Sequence, residues 1–278
     1  MQIGVMARHV TRPTLRETLA AVRGYGIHSI QFNFECVGLP TLPDAIAPEL
    51  AAQIGQELAA QGVSMAAVSG TFNMIHPDAA RRADGLRRLR VLAAACPALG
   101  TSVITLCTGT RDPDHMWRRH PDNDTPEAWR DLIDAMEQAV ASAADYGVTL
   151  AIEPEVANVV DSAVKARRLL DAIGSPHLKV VIDGANLFHA GELPRMAAIL
   201  DEAFALLGED IVLAHAKDLD RDGEAGHLAA GTGLLDYDRY LRRLKACGYD
   251  GALILHSLEE RQIPASVAFL RARLAALG

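Results

Sequence analysis

The sequence predicts an α/β fold, a single closed (β/α)8 barrel over residues 1–278. Eight short runs rich in β-branched and other apolar residues alternate with eight longer runs of helical periodicity. No flexible linker or change of composition divides the chain. Parallel strands need helical crossovers, and eight such units can close into a ring. A doubly wound open sheet is the alternative, but no GxGxxG turn follows the first predicted strand.

The predicted strands and helices alternate along the whole chain. Strands are expected at 2–7, 29–34, 63–69, 102–108, 148–153, 178–183, 211–217 and 252–257. Helices are expected near 13–24, 46–61, 79–99, 125–146, 161–173, 192–207, 236–247 and 263–277. Thr125, Pro126 and Glu127 together form a typical helix start, with a cap, a first-turn proline and an early acid. Glycines mark where helices should end, at Gly24, Gly62, Gly147 and Gly248.

Composition excludes several classes of function. Half of the residues are hydrophobic and the formal net charge is -8, which argues against a nucleic-acid partner because phosphate binding depends on clustered Lys and Arg. The first residues lack the features of a signal peptide, and no run of about 18 apolar residues occurs, so no membrane partner is expected. We therefore expect a cytoplasmic protein. The four cysteines are scattered and predict neither disulfides nor a cysteine zinc site.

Ionisable residues stand at the ends of the last four barrel strands. They are Glu153, Asp183, His215 and His256. Active sites of (β/α)8 barrels collect at the carboxyl ends of the strands, and alternate side chains of a strand face the barrel interior. Glu153 shares a face with small residues, and Lys217 shares the face of His215. The four side chains are therefore predicted to converge above the barrel.

Two carboxylates and two imidazoles at one point repel each other less when a divalent cation lies between them. Mixed nitrogen and oxygen ligands suit Mn, Co, Fe, Ni or Zn better than Ca, and Mg also remains open. At any single position, a helix cap, a salt bridge or a hydrogen-bonded histidine explains the residue without a metal. Four such residues at successive strand ends favour the metal site.

Six motifs along the chain carry a family resemblance. They are IGVMAR at the first strand, AIEPEVAN after the fifth, VVIDGANLFHAG at the sixth, HAKD at the seventh, GHLAAGTGLLDY beyond it and YDGALILHS at the eighth. With them the sequence resembles the sugar isomerase/epimerase superfamily of xylose-isomerase-like TIM barrels, which includes ketose 3-epimerases, inosose dehydratases and an endonuclease branch.

The resemblance implies a metal held by Glu153, Asp183 and His215. The family usually has a glutamate at the fourth position, where this chain has His256, so a symmetric epimerisation by two carboxylates is not implied. The resemblance leaves His256 as a metal ligand or as a general acid or base, with Glu259 as a weaker substitute. Asn186 replaces a histidine, and Ala225 an aspartate, that the three-metal endonuclease branch needs. One metal acting on a small polyol is thus favoured.

The expected chemistry is removal of a proton next to a metal-bound carbonyl, with Glu153 as the base. Lys217 could stabilise the developing oxyanion or simply pair with a carboxylate. Further substrate-binding candidates are hydroxyl-binding Asn158, Asn186 and His189, His76 at the rim, and Arg111 and Trp117 from a long covering loop at 108–126.

Three functions remain open at this point. The first is a metal-dependent isomerase or epimerase of a keto-sugar or related polyol. The second is a lyase or dehydratase that shares the same enediolate. The third is a non-catalytic sugar-binding barrel. Dimers occur in such barrels, and a homodimer is compatible with the sequence.

Overall fold

The computed structural model describes residues 1–277, in which eight parallel strands form a closed barrel inside a ring of eight helices. Gly278, the last residue of the predicted domain, lies outside the described part. The barrel strands are β1 (Gln2–Met6), β2 (Ser29–Phe32), β3 (Ser64–Ser69), β4 (Val103–Cys107), β5 (Thr149–Glu153), β6 (Leu178–Asp183), β7 (Ile211–Asp218) and β9 (Ala252–Leu255). The helices are α1 (Leu15–Gly24), α2 (Pro48–Gln61), α3 (Ala79–Leu99), α4 (Pro126–Asp145), α5 (Ala163–Ile173), α6 (Met196–Leu207), α7 (Tyr237–Ala246) and α8 (Ile263–Ala275).

The strands follow one another around the barrel in chain order. Strands β1 to β7 pair in sequence, β7 pairs with β9, and β9 pairs with β1 to close the ring. A two-residue strand, β8 (Leu228–Ala229), adds an antiparallel extension to the end of β7. The predicted (β/α)8 barrel is therefore confirmed, and β8 is the strand that the sequence did not predict.

The predicted elements are confirmed to within about four residues, with the largest difference at the start of α6, which begins at Met196 instead of residue 192. The difference nearest to the predicted site concerns the eighth predicted strand. That strand was expected to reach residue 257, but β9 ends at Leu255. Ser257 has a φ of 52°, in the left-handed region that an extended strand cannot contain. His256 thus lies in the turn immediately after β9.

Local signals set the helix ends. Thr14 and Glu17 form a capping box at the start of α1, and the Thr125 side chain accepts from the Ala128 N–H at the start of α4. Helix α2 ends at Gly62, whose φ of 61° suits a residue without Cβ.

Two apolar layers support the barrel. The larger layer fills the space between the sheet and the helices. The smaller layer, here called the inner plug, fills the barrel interior with Met6, Ala67, Ala151, Val181, Leu213 and Ile254. Side chains two residues apart on a strand share a face, so Ala151, Val181 and Leu213 lie directly below the next inward-facing residues. The inner plug is thus a dry floor for polar groups at the carboxyl ends of the strands.

Buried hydrogen bonds fix the strand ends around this floor. The Tyr240 hydroxyl shares its one hydrogen between the carbonyls of Ile182 (3.1 Å) and His215 (2.9 Å), near the ends of β6 and β7. The Asp218 carboxylate accepts three backbone N–H groups, from Leu219, Gly231 and Leu235. Asp218 therefore holds the loop that follows β7, and its carboxylate faces that loop.

The helices of residues 1–277 are too short or too polar for any of them to be a candidate membrane span.

We expect Ile254→Ala to lower the free energy of unfolding by about 2–5 kcal/mol, because Ile254 is fully buried in the inner plug and truncation leaves a cavity. Val164→Ala is the matched control, since Val164 is 55% exposed, and it should change stability by less than about 0.5 kcal/mol. Urea unfolding followed by circular dichroism measures both. Equal losses in the two variants would contradict the assignment of Ile254 to a packed interior.

Candidate functional site

The four ionisable residues predicted at the strand ends lie close together at the mouth of the barrel. His215 Nδ1 is 3.2 Å from Glu153 Oε1 and 3.6 Å from Asp183 Oδ2. The His256 ring centroid is 5.3 Å from that of His215. One potential ligand atom each from Asp183, His215 and His256 lies within 4.8 Å of the other two. This cluster of histidine and aspartate is a possible metal site.

Two buried atoms of this cluster are unsatisfied. Asp183 Oδ1 accepts from the Ala185 N–H at 3.0 Å, but Oδ2 has no hydrogen-bond partner among residues 1–277. His256 Nδ1 is also buried and lacks such a partner within the described chain. An unsatisfied buried polar group costs about 1–3 kcal/mol. A divalent cation that accepts a lone pair from Asp183 Oδ2 would remove that cost at the carboxylate, so the donor set fits a divalent metal.

The charges of the cluster shift the pKa values of its members. Burial raises the pKa of Asp183, but Lys217 and His215 outweigh burial and hold the pKa below its ordinary value. Burial lowers the pKa of His215, but Glu153 and Asp183 outweigh it and raise the pKa to about 9. Without a metal, the protonated His215 ring and the Lys217 ammonium together balance these two carboxylates at neutral pH.

The shift of His256 has the opposite sign. Burial, followed by the positive charges of Lys217, His215 and Arg8, lowers the pKa of His256 well below its ordinary value. Arg8 Nη2 lies 3.2 Å from His256 Nε2. A guanidinium can only donate, so Nε2 accepts and the proton of the neutral ring is on Nδ1.

A neutral amide determines which nitrogen of His215 faces the acids. Gln31 Oε1 is 2.8 Å from His215 Nε2, and Gln31 Nε2 donates to the hydroxyls of Ser69 (2.9 Å) and Thr105 (3.0 Å). The amide orientation therefore makes Oε1 the acceptor for the Nε2–H of His215. The Nδ1 atom is left directed at Glu153 and Asp183.

The sequence reading missed Gln31, although a signal was present. In the stretch SIQFNF, polar Gln31 and Asn33 alternate with Ile30, Phe32 and Phe34. A period of two in a barrel strand places both polar side chains inside the barrel.

Lys217 and Asn186 link the acids of β5 and β6. The buried Lys217 Nζ donates to Asn186 Oδ1 at 2.7 Å and lies 3.3 Å from Asp183 Oδ2. Asn186 Nδ2 donates to Glu153 Oε1 at 2.7 Å. Glu153 is thereby oriented by an amide that is itself held by a cation.

A cavity of about 590 Å³ opens above the cluster. This volume is in the usual range of small-molecule sites. Glu153, Asn186, His215, Lys217 and His256 line it, whereas fully buried Asp183 lies beneath its floor.

The loop at 108–126 contributes the outer wall of the cavity. Met116, Trp117, Arg118 and Arg119 belong to the lining, and Trp117 remains half exposed. Trp117, a predicted substrate-binding residue, therefore lies at the cavity, and the loop at 108–126 covers part of the cavity.

Two of the predicted hydroxyl-binding residues lie outside the cavity lining. Asn158 is fully buried, where Oδ1 accepts from the Gly109 N–H (2.6 Å) and Nδ2 donates to Glu155 (2.5 Å). His189 lies 3.9 Å from Asp161 Oδ1. Asn158 therefore holds two loops together, and His189 faces an acid away from the lining.

The predicted rim residues His76 and Arg111 also lie outside the lining. His76 Nε2 is 3.0 Å from the Pro113 carbonyl, and His76 borders a neighbouring pocket instead. Arg111 donates to Asp131 at 2.5 Å and to the Ile75 carbonyl at 3.0 Å. His76 and Arg111 are thus satisfied by other parts of the chain instead of by a ligand. The residue types alone could not predict these partners.

Two further glutamates differ in their position. The side chain of Glu259 is 67% exposed and pairs with Arg261, so the structure places this substitute for the fourth ligand outside the cluster. Glu155, which the sequence reading did not select, is buried at the cavity, and burial raises its pKa.

The closed barrel with acids and imidazoles at its carboxyl end defines a TIM barrel with a candidate metal site. Residues 19–273 match the sequence model of the xylose isomerase-like TIM barrel family, and the chain belongs to that family. The L-ribulose-5-phosphate 3-epimerase UlaE of Shigella flexneri serotype 5b (strain 8401) is 25% identical over 213 residues, which are 74% of this chain and 70% of the epimerase.

Solved structures share the fold at low identity. A D-tagatose 3-epimerase-like protein has a TM-score of 0.79 at 17% identity, covering 99% of this chain and 98% of that protein. The IOLI protein with a bound zinc atom has a TM-score of 0.75 at 14% identity, covering 99% and 97%. The similarity to the Shigella epimerase supports an enzyme.

In metal-free protein, we expect the free energy of unfolding to fall as the pH rises from about 6.5 to about 9. The pKa of His215 is about 9 when folded and 6.5 as a model value, so this stabilisation is complete below the lower value and lost above the higher one. Its size is on the order of 3 kcal/mol.

Urea unfolding in a chelator at about pH 6, 7.5 and 9 measures this dependence. His215→Gln cannot bind the proton and should give a flatter profile. A profile identical to that of the original chain would contradict the assignment.

Proposed function

We propose that this chain is a divalent-metal-dependent isomerase or epimerase of a keto-sugar or related polyol. The observation that carries the proposal is the unsatisfied Asp183 Oδ2 beside His215 Nδ1 and Glu153, below a cavity of about 590 Å³. The epimerase name of the Shigella relative supports this class of substrate.

In this proposal Glu153, Asp183 and His215 hold the metal, and His256 is a candidate fourth ligand through Nδ1. The ion, Mn, Co, Zn or Mg, would supply Lewis-acid polarisation of a substrate carbonyl. The zinc in the IOLI structure supports such a site. The dry inner plug below the cluster strengthens every charge interaction above it.

Glu153 is the proposed base. Its carboxylate takes the proton from the carbon next to the carbonyl, and the electrons of the broken C–H bond move to the carbonyl oxygen, giving an enediolate. Asn186 orients Glu153 by donating to Oε1, and the Lys217 ammonium stabilises the negative oxygen. An isomerisation is complete when the proton of the neighbouring hydroxyl moves to the former carbonyl oxygen and Glu153 returns its proton to the former carbonyl carbon, which leaves a carbonyl at the neighbouring carbon.

An epimerisation needs a proton from the opposite face of the same carbon. In this role the His256 ring would first take up a second proton from solvent, then give its Nδ1 proton, which has no acceptor among residues 1–277, to that carbon and return to the neutral form. Glu153 would release to solvent the proton that it had removed. A ligand role needs a lone pair on the same atom, so the two roles of His256 exclude each other in one state. The metal affinity of His256→Gln distinguishes the two roles. The affinity should fall if His256 is a metal ligand and stay unchanged if His256 only donates a proton.

The position of His256 at the cavity also supports a second candidate, a lyase or dehydratase. After proton removal by Glu153, a β-oxygen substituent would leave with its bonding electrons and take a proton from the His256 ring, which must first be protonated by solvent and which ends neutral. Product mass distinguishes the outcomes, because epimerisation keeps the formula and elimination loses water or an alcohol.

We expect purified protein to bind one divalent ion per chain. Asp183→Asn should weaken this binding by more than about 10–100-fold, which is the usual cost of losing a residue that only hydrogen-bonds to a metal ligand. The reason is that Asp183 supplies the fully buried, unsatisfied oxygen of the cluster. Asp171→Asn is the matched control because Asp171 pairs with Arg167 on α5. Elemental analysis and calorimetric titration measure binding. Absence of stoichiometric metal, with sugar binding intact, would instead support the non-catalytic barrel.

We expect solvent deuterium to enter the α-carbon of a keto-sugar substrate, and Glu153→Gln to slow this exchange by about 10²–10⁴-fold. NMR of metal-loaded protein in D₂O measures the rate, and its metal content must be measured alongside. Glu259→Gln is the matched control, since Glu259 pairs with Arg261 outside the cluster. Exchange at the original rate in Glu153→Gln would exclude Glu153 as the base.

A further inference from the structure

The cavity has two chemically different sides. The side formed by β5, β6, β7 and β9 carries the charged cluster. At the carboxyl ends of β2, β3 and β4 the polar lining side chains are uncharged, namely Gln31, Asn33, Ser69, Thr71 and Thr105. The charged lining residues nearest to them are Arg8 after β1 and Arg118 and Arg119 in the loop after β4. The proposed reaction uses the charged side, so the uncharged side is available for the remainder of the substrate.

Hydrogen-bond accounting assigns fixed roles to two of these groups. Ser69 Oγ accepts from Gln31 Nε2 and from Asn33 Nδ2, both at 2.9 Å. Both acceptor positions of the hydroxyl are filled, so its own hydrogen is free to be donated. Asn33 is 1% exposed, and its Oδ1 lacks a hydrogen-bond partner within residues 1–277. A donor and an unsatisfied acceptor therefore stand side by side at the cavity wall.

We propose that Asn33 and Ser69 form a subsite for an uncharged hydroxyl of the substrate, and that the substrate is a neutral keto-sugar or polyol instead of its phosphate ester. A hydroxyl accepts from Ser69 and donates to Asn33 Oδ1, which satisfies both groups. The oxygens of an ionised phosphate can only accept, so a phosphate here would leave Oδ1 unsatisfied and repelled. This inference rests on the proposed function, whose substrate class it narrows.

The arginines of the covering loop already have anionic partners. Arg118 Nη1 pairs with Asp112 at 3.1 Å, and Arg119 pairs with Asp161 at 3.2 Å and with Asp124 at 2.5 Å. A phosphate at this rim would compete with these carboxylates. The proposed substrate thus differs from the phosphorylated sugar in the name of the Shigella relative.

The first test compares neutral sugars with their phosphate esters in the full chain loaded with Mn²⁺. The probes are L-ribulose, D-tagatose and D-fructose, each paired with its terminal phosphate ester, and calorimetry gives the dissociation constants. The neutral member of the best-binding pair should bind at least about tenfold more tightly. Tighter binding of the ester, or no binding of any neutral sugar, would overturn the inference. Loss of such ester binding in Arg8→Met would assign the phosphate to Arg8.

The second test determines whether Ser69 donates a hydrogen bond to a hydroxyl of the sugar. Ser69→Ala should weaken the best neutral sugar by about tenfold, the effect of one neutral hydrogen bond. Ser142→Ala on α4 lies outside the lining and is the matched control. Because Ser69→Ala also removes an acceptor from two buried amides, monodeoxy analogues of the same sugar are measured with the unaltered chain. One analogue should bind about tenfold more weakly and lose nothing further in Ser69→Ala.

Equal binding of every deoxy analogue would overturn the subsite. The inference and the proposed function fail in different ways. Metal-dependent deuterium exchange into a phosphate ester, faster than into its neutral sugar, would uphold the function and exclude the neutral substrate. Absence of exchange into every sugar, with the neutral preference retained in binding, would uphold the subsite and reject the reaction.

Discussion

The carboxylate of Asp183 is the constraint around which the site is arranged. It is completely buried, its pKa is held low by nearby cations, and one of its oxygens has no hydrogen-bond donor among the described residues. A buried charge needs partners, and the surroundings supply Lys217 and His215 at 3.3 and 3.6 Å. Lys217 and His215 therefore carry positive charge and point towards Asp183, because its buried negative charge must be balanced.

The barrel makes this balance possible because it joins residues that are far apart in the chain. Asp183 pairs in register with His215 on β7, and His215 with Ile254 on β9. Gln31 reaches His215 from β2, across the barrel interior. Above the apolar inner plug, water competes little with these contacts. Small differences in the distances between charged groups therefore change their interaction energies strongly.

The strand pattern was enough to predict the barrel and the convergence of Glu153, Asp183 and His215, because both depend on periodicity and on the common direction of parallel strands. Hydrogen-bond pairing was not predictable. Asn158 resembles a sugar-binding amide in the sequence, yet it binds the chain itself. Asn33 has the same chemistry and keeps an unsatisfied oxygen. Asn158 lies in the loop after β5, where loop residues Gly109 and Glu155 satisfy it, whereas Asn33 directly follows β2 and lines the cavity.

His256 is the point at which this chain departs from the pattern its resemblance implies. A glutamate there would add a third negative charge beside Glu153 and Asp183, whereas neutral His256 adds none. Burial of its ring, together with the positive groups around it, lowers its pKa and keeps it neutral. Ser257 adopts the left-handed conformation directly afterwards and turns the chain away from β9. The substitution therefore leaves the cluster less negative and replaces a carboxylate by a neutral ring, so the groups on the two sides of a substrate carbon differ in charge and in basicity.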